Sequence, residues 1–245
     1  MFHLFIFFLI LLLFLHVRKH RLTSNDMEVL IFNGNKNDLE KLCDLKQPVI
    51  FQIHAENEKL FSNCNYDSLE KKNYDMNLIK EHGLLSFFET NFLRPHSFSY
   101  PTYSIIMLST EYLYHISFRH YFLVTQGGAT IELVPPNNVV MKNHYYDMIF
   151  SCLETESEKR IPISLVQGDC LFIPPLWGYK IILEEKSSIL SFNYKTPMNI
   201  ISFTDYYTLH FLQKINTKYK VSQKIEKDSI STVPLKENLE EKDAS

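Results

Sequence analysis

Apolar and polar positions divide the chain into segments of distinct kinds. Phe2 to Val17 reads FHLFIFFLILLLFLHV, apolar except for His3 and His16. Thr23 to Gln47 is polar and mixed, with LEKLCDL around Cys43 reading as a short helix. Pro48 to His54 (PVIFQIH) is β-branched and aromatic behind a proline, which predicts a strand. Between Lys59 and Arg94 many charges accompany apolar residues at helical spacing, among them Leu78, Ile79, Leu84, Leu85, Phe87 and Phe88; one or two helices are expected there. From Tyr103 short aromatic and β-branched runs follow one another: YSIIML, YLYHISF, YFLVTQ, ATIELV, DMIFSCL, IPISLV, CLFIPP, YKIILEE and SILSFNY. Breakers such as Gly127-Gly128, Pro135-Pro136-Asn137-Asn138, Gly168-Asp169 and Pro174-Pro175 separate several of them. Many short strands with regular turn signals predict an antiparallel sandwich or barrel. Phe203 to Lys220 returns to helical spacing and is expected to pack against that barrel. After Lys220 the chain is rich in Lys, Glu and Ser, with too little apolar surface to offset its ordering entropy, so disorder is expected.

The first segment has two competing readings. A run of sixteen residues falls short of the roughly 20 that a spanning helix needs, and snorkelling flanks make up the difference. A cleaved signal peptide would instead send the domain into the secretory pathway. No positive n-region precedes the run and no small-x-small cleavage site follows it. Arg18, Lys19, His20 and Arg21 come directly after it, and positive charge on that flank favours a cytoplasmic location. The preferred reading is an uncleaved single-pass anchor through residues 2–17, with the domain on the cytosolic side. The layout is then an anchor with its basic flank over 1–21, a polar linker with a short helix over 22–47, and a domain over 48–220. Within that domain the barrel core lies at about 100–195 and the last helix at about 203–220; the tail is 221–245.

Bulk properties narrow the picture. The chain has 245 residues, 45% of them apolar, enough for one domain of about 150–200 residues and its extensions. A net charge of −3 gives no basic footprint for nucleic acid, so no nucleic-acid partner is expected. Only 6 glycines are present and no phosphate-cradling glycine motif occurs. Cys43, Cys64, Cys152 and Cys170 are too widely spaced for a zinc site or a dense disulfide framework, and read as buried thiols. The absence of any Asn-x-Ser/Thr sequon disfavours a lumenal domain.

Two stretches resemble the JmjC/cupin-like family. Gly127 to Pro136, GGATIELVPP, resembles its Gly-x-Lys-x-x-x-L-x-P-P strand and turn. Gly168 to Tyr179, GDCLFIPPLWGY, resembles its Gly-Asp-x-L-x-I-P-P-x-W-x-His segment, and is the more specific of the two. SILSFNY, Ser188 to Tyr194, is similar to the closing strand, and PVIFQIH sits where such proteins open. Together these cover roughly Pro48 to Tyr194. Gly168-Asp169 would make a turn into a strand, the proline pair would end ladder pairing, and Trp177 would pack over the barrel mouth. The resemblance implies a mainly β double-stranded β-helix, a jelly-roll or cupin barrel, with flanking helices and the N-terminal transmembrane helix.

The oxygenases of that family hold Fe(II) with a His-x-Asp/Glu pair and a distal His. Counting back without gaps from Pro135-Pro136 places the pair on Tyr114 and Ile116; a shift of one residue gives His115 and Ser117. Neither register supplies a carboxylate, and the distal position is Tyr179. Of the positions that would serve 2-oxoglutarate, His120 stands for a common Asn, Ala129 for the Lys and Asn193 for a polar residue of the closing strand. His96 and His144 lie within or beside the barrel. His115 and His120 are five apart, so on one continuous strand they would point to opposite faces, one exposed and one packed. Tyr114 and Tyr179 read as filling the space a metal would take.

The expectation is therefore a non-catalytic binding or scaffolding relative with no cofactor, whose barrel mouth takes a peptide, protein or small ligand. A homodimer through Phe203–Lys220 is a further expectation from the resemblance. The rival is an oxygenase using Fe(II) and 2-oxoglutarate with non-standard ligands. A third reading makes the barrel a folded spacer on a membrane protein.

Overall fold

A computed structural model describes residues 2–34, 36–53, 98–146, 149–153 and 156–218. The helices expected over 59–94, His96, Cys64 and the tail after Lys220 lie outside them. Helix α1, Phe2–Arg21, has no acidic residue in its first turn, ends on Arg18, Lys19, His20 and Arg21, and buries none of its side chains. Twenty residues at 1.5 Å each make about 30 Å, the thickness of a bilayer's hydrocarbon layer. One N-terminal apolar helix of this kind could span a membrane or act as a signal sequence.

Twelve strands are described: β1 (Leu30–Phe32), β2 (Val49–Gln52), β3 (Tyr100–Ile106), β4 (Leu113–His115), β5 (Arg119–Gln126), β6 (Gly128–Val134), β7 (Met141–Tyr146), β8 (Ile149–Cys152), β9 (Ile161–Val166), β10 (Asp169–Ile173), β11 (Gly178–Leu183) and β12 (Ser188–Lys195). Three further helices are α2 (Lys36–Asp44), α3 (Pro197–Ser202) and α4 (Thr204–Lys218). The first sheet runs β1-β2-β10-β5-β12-β3 and the second β7-β8-β4-β11-β6-β9. From β9 to β12 successive strands alternate between the sheets, as β4, β5 and β6 do, winding the chain into a double-stranded β-helix. All pairings are antiparallel except β1 on β2.

Strand alternation sorts the side chains into three buried layers. Between the sheets lie Phe122, Val124, Leu171, Ile173 and Ile189 from the first, facing Ile131, Leu133, Leu165, Tyr179 and Ile181 from the second. Outside the first sheet, Tyr121, Leu123, Cys170, Phe172, Phe192 and Tyr194 are covered by Leu39 and Cys43 of α2. Outside the second, Tyr112, Tyr114, Ile116 and Phe150 are covered by Phe203, Tyr206 and Tyr207 at the start of α4. Arg119, buried at the start of β5, binds the rim of α2 through Asp44 at 2.9 Å and Glu40 at 3.7 Å.

Most of the expected strands form, and two departures matter. The polar 22–47 segment is part of the fold: it supplies α2 and the edge strand β1, and covers Trp177. The run YLYHISF is broken after His115, so that β4 belongs to the second sheet and β5 to the first.

Candidate functional site

The Gly168–Tyr179 block builds one wall of the site. Gly168 takes the left-handed backbone (φ 93°) that a side chain resists, and the Asp169 carboxylate accepts a hydrogen bond from the Val166 N–H at 2.9 Å. Strand β10 then runs to Ile173, where Pro174-Pro175 ends the pairing. Leu176 turns back with φ 70°, and its N–H donates to the His115 carbonyl at 2.8 Å. The proline-rich turn thus fixes the backbone of His115, the last residue of β4. Asn199 of α3 donates from Nδ2 to the Ile116 carbonyl at 2.7 Å and pins the chain as it crosses between the sheets.

That crossing overturns the parity expectation for the histidines. Alternation holds along one continuous strand, but residues 116–118 leave β4 and turn the chain before β5 starts. Both His115 and His120 are buried, and their rings meet edge to face with centroids 4.3 Å apart. The Tyr179 ring lies 6.2 Å from His115 and 5.9 Å from His120. His120 Nε2 shares a 2.7 Å hydrogen bond with the Ser191 hydroxyl, and the Ser117 hydroxyl donates to Asn193 Oδ1 at 3.2 Å.

The interior-facing register is therefore His115 with Ser117. Tyr114 stacks on Phe150 (5.0 Å) and, with Ile116, lies in the layer outside the second sheet under α4. Tyr114 accordingly does not fill the space where a metal would sit, whereas Tyr179 faces the interior. Ala129 pairs with Leu183 and Leu165, four residues along β6 from the Leu133–Tyr179 pair, and so lies about 13 Å from this site. Trp177 does not line an open mouth. It is fully buried, its indole N–H donates to the Ser24 carbonyl at 3.1 Å, and Val29 packs on the same cluster.

Sequence reading passed over Ser191 and Lys195. Ser191, Asn193 and Lys195 occupy every second position of β12, a polar stripe on the interior face that strand period makes legible. Lys195 is half-buried at the end of this stripe, and burial lowers the pKa of its ammonium. Across the first sheet, Thr102, Asn193, His120 and Ile173 form one row, exposed at Thr102 and buried at His120, which leads from solvent to the histidines.

Burial dominates the electrostatics. It pushes His115 down to about 3, with the nearby carbonyls of Ile173 and Ser117 opposing the shift only in part. Burial, then the neighbouring His115 and Lys195, holds His120 well below its ordinary value. Both imidazoles are neutral at physiological pH. Among the described residues neither ring nitrogen of His115, nor Nδ1 of His120, has a partner of hydrogen-bond geometry. Burial also raises the Tyr179 phenol, which keeps it protonated and a poor anionic ligand.

These residues do not fit the Fe(II) centre that the fold suggests. His115 is a suitable donor, but Ser117 brings no charge-neutralising carboxylate and Tyr179 no distal imidazole, and His120 stands at neither of those positions. Among the described residues no three His, Cys, Asp or Glu side chains gather in a metal-binding group. Two clefts lie elsewhere: about 380 Å³ at the Ser188 end of the barrel, beside Met107–Ser109 and Leu183–Lys186, and about 290 Å³ along Phe14–Leu22.

Two sheets threaded by strands that alternate between them define a cupin-like domain. No protein-family model and no curated protein matches the chain. Among solved structures it is similar to hydroquinone 1,2-dioxygenase from Sphingomonas sp. TTNP3 with 4-hydroxybenzoate bound: 13% identity, 42% of this chain and 64% of that one covered, TM-score 0.30. It is also similar to ycfD of E. coli, at 17% identity over 46% of this chain and 30% of that one, TM-score 0.31. The vicilin of Solanum melongena matches at 16% identity over 40% and 24%, TM-score 0.28. In each case the match spans less than two thirds of the other chain.

Proposed function

We propose that this chain is a membrane-anchored, cupin-like binding protein, a degenerate relative of the JmjC oxygenases that holds a ligand bearing an anionic group without metal-centred chemistry. The observation that carries this reading is the composition of the barrel's histidine end. Where a facial triad needs a carboxylate and a distal imidazole, it has Ser117 and Tyr179. Beside them stand two neutral histidines, three of whose four ring nitrogens have no partner among the described residues, and the Lys195 ammonium, for which no ion pair is found among them. A carboxylate would pair with Lys195, and a neighbouring hydroxyl or amide would donate to an imidazole nitrogen.

Anchoring is supported by the way α1 ends. Lys46 donates to the carbonyls of Lys19, His20 and Leu22 at 2.6, 3.0 and 2.8 Å, satisfying groups that a helix C-terminus leaves open. Arg21 binds the Ser202 carbonyl and the Asp205 carboxylate. A cleaved segment would take these partners away. The basic residues Arg18, Lys19 and Arg21 favour a domain on the cytosolic side.

The test is thermal unfolding of the full chain in detergent, with Fe(II) or Mn(II), each with and without 2-oxoglutarate, and with small carboxylic acids alone. Ligand at a hundredfold excess over Kd adds about 2.7 kcal/mol, several degrees for a domain of this size. A rise with a carboxylic acid alone that vanishes in Lys195→Met is the expected result. A metal-dependent rise enhanced by 2-oxoglutarate would instead establish the oxygenase reading, which the shared space of His115 and His120 favours.

A further inference from the structure

We infer that the α3–α4 face of the domain lies on the surface of an anionic bilayer, beside the point where α1 leaves it. The inference rests on the reading of α1 as a membrane anchor. Depth is set by α1 itself. From Val17, the last residue of the apolar run, to Arg21 is four residues, about 6 Å of helix. The interfacial layer on each side of a bilayer is of similar thickness, roughly 6 Å. Arg21 therefore sits among the headgroups, and it holds the Ser202 carbonyl and the Asp205 carboxylate at that depth. The Arg21 guanidinium also lies 5.4 Å over the Phe203 ring.

Helix α4 has two unlike sides. Phe203, at its N-terminus, and Tyr206 and Tyr207 pack on the barrel. The side that carries Asp205 also carries Thr208, Leu209 and Leu212, spaced three, four and seven residues on. Leu209 is 46% exposed and Leu212 49%; Ile201 of α3, next to Ser202, is 46% exposed. Apolar side chains thus flank the Arg21 contacts that bind the helix pair to α1. Such a side facing water would gain nothing, whereas an interfacial helix buries its apolar side about 5–10 Å into the headgroup boundary. Arg18 and Lys19, in the same last turn of α1, suit anionic lipid.

The experiment uses the full chain in phosphatidylcholine–phosphatidylserine vesicles, with quenching by a lipid brominated near the headgroups. Leu209→Trp and, as a second reporter, Leu212→Trp probe the face. Val166→Trp, at an exposed position at the other end of the barrel, is the control, and Phe8→Trp reports on α1. Trp177, common to all, supplies a buried background. The expected result is loss of the added emission in both α4 variants and none in Val166→Trp. If Phe8→Trp is quenched while the α4 variants stay as bright as Val166→Trp, the face is off the membrane and the inference fails although the anchor stands. If Phe8→Trp is not quenched, the anchor reading fails and takes the inference with it. Unquenched α4 variants in a chain that sediments as a dimer would give the face to a second copy and overturn the inference equally.

Discussion

The two ends of the barrel bury polar side chains in opposite ways. At the Ser188 end, Thr125 and Ser188 are buried and bound to each other at 2.7 Å, and Thr125 also reaches the Ser188 carbonyl at 3.0 Å. The buried Ser187 hydroxyl accepts from the Gly128 N–H at 3.1 Å, holding the turn into β6. At the other end, three imidazole nitrogens of His115 and His120 are buried without a partner among the described residues. A buried polar group left unmatched costs about 1–3 kcal/mol. Hydroxyls at the first end serve the fold, while at the second the fold carries groups that cost stability. Unmatched buried groups of that kind point to a site, and equal treatment of the two ends should give unequal responses.

The largest effect is expected from acid. Unfolded, each histidine titrates near 6.5; folded, His115 is held at about 3 and His120 well below its ordinary value. Above pH 6.5 both states are neutral and stability is unaffected. Below it the unfolded chain binds protons that the folded chain refuses, so stability falls toward acid, by about 1.4 kcal/mol per pH unit for His115 once well below 6.5. Between pH 6.5 and 4.5 His115 alone should cost about 2 kcal/mol, and His120 adds to the loss in the same direction. Urea unfolding across this range measures it, and a His115→Leu/His120→Leu double variant should be much less acid-sensitive. A double variant as sensitive as the parent would remove the histidines from the account.

At the Ser188 end the corresponding loss comes from shape. Gly127 has φ 71°, and an added Cβ would lie 2.1 Å from the Ser187 hydroxyl oxygen. Gly127→Ala should cost about 3 kcal/mol, from backbone strain and displacement of Ser187, at any pH between 5 and 8. A smaller loss follows from Thr125→Val, which keeps the shape and leaves Ser188 short of one partner: about 1–2 kcal/mol by urea midpoint. Neither change should alter the acid slope. If either does, the two ends are coupled and do not play separate roles.

How much of this was legible in the sequence follows from what each feature depends on. The runs from YFLVTQ to SILSFNY announced their strands because period-two apolar patterning and the breakers between them are local. The break after His115 was not, since YLYHISF reads as unbroken strand. It is imposed by the Leu176 N–H on the His115 carbonyl and by Asn199 on Ile116, from residues about 60 and 83 positions away. The histidine pair was consequently assigned to opposite faces, and the ungapped register chose Tyr114 and Ile116 over the inward-facing His115 and Ser117. Lys195 went unmarked although the stripe Ser191-x-Asn193-x-Lys195 was in view, because a family motif directed attention to Asn193 alone. The edge strand β1 was hidden in a segment whose polarity reads as linker; its neighbour β2 and the carbonyl of Pro48 organise it.

The smallest expected effect decides most sharply whether the two ends differ. His115→Leu at pH 7.5 replaces a buried imidazole by a side chain of similar volume, packed among Tyr179, His120 and the Ile173 strand end. Removing a buried group whose nitrogens lack partners recovers desolvation free energy, and the apolar replacement loses only weak attraction to the carbonyls of Ile173 and Ser117. The two contributions oppose each other, so stability should stay within about 1 kcal/mol of the parent. Ligand binding at Lys195 should meanwhile weaken, because the imidazole nitrogens are the neutral acceptors beside it. A loss as large as that from Thr125→Val would mean that His115 is held by partners as good as those of Ser188. The histidine end would then be a structural polar core like its counterpart, and the case for a ligand there would rest on Lys195 alone.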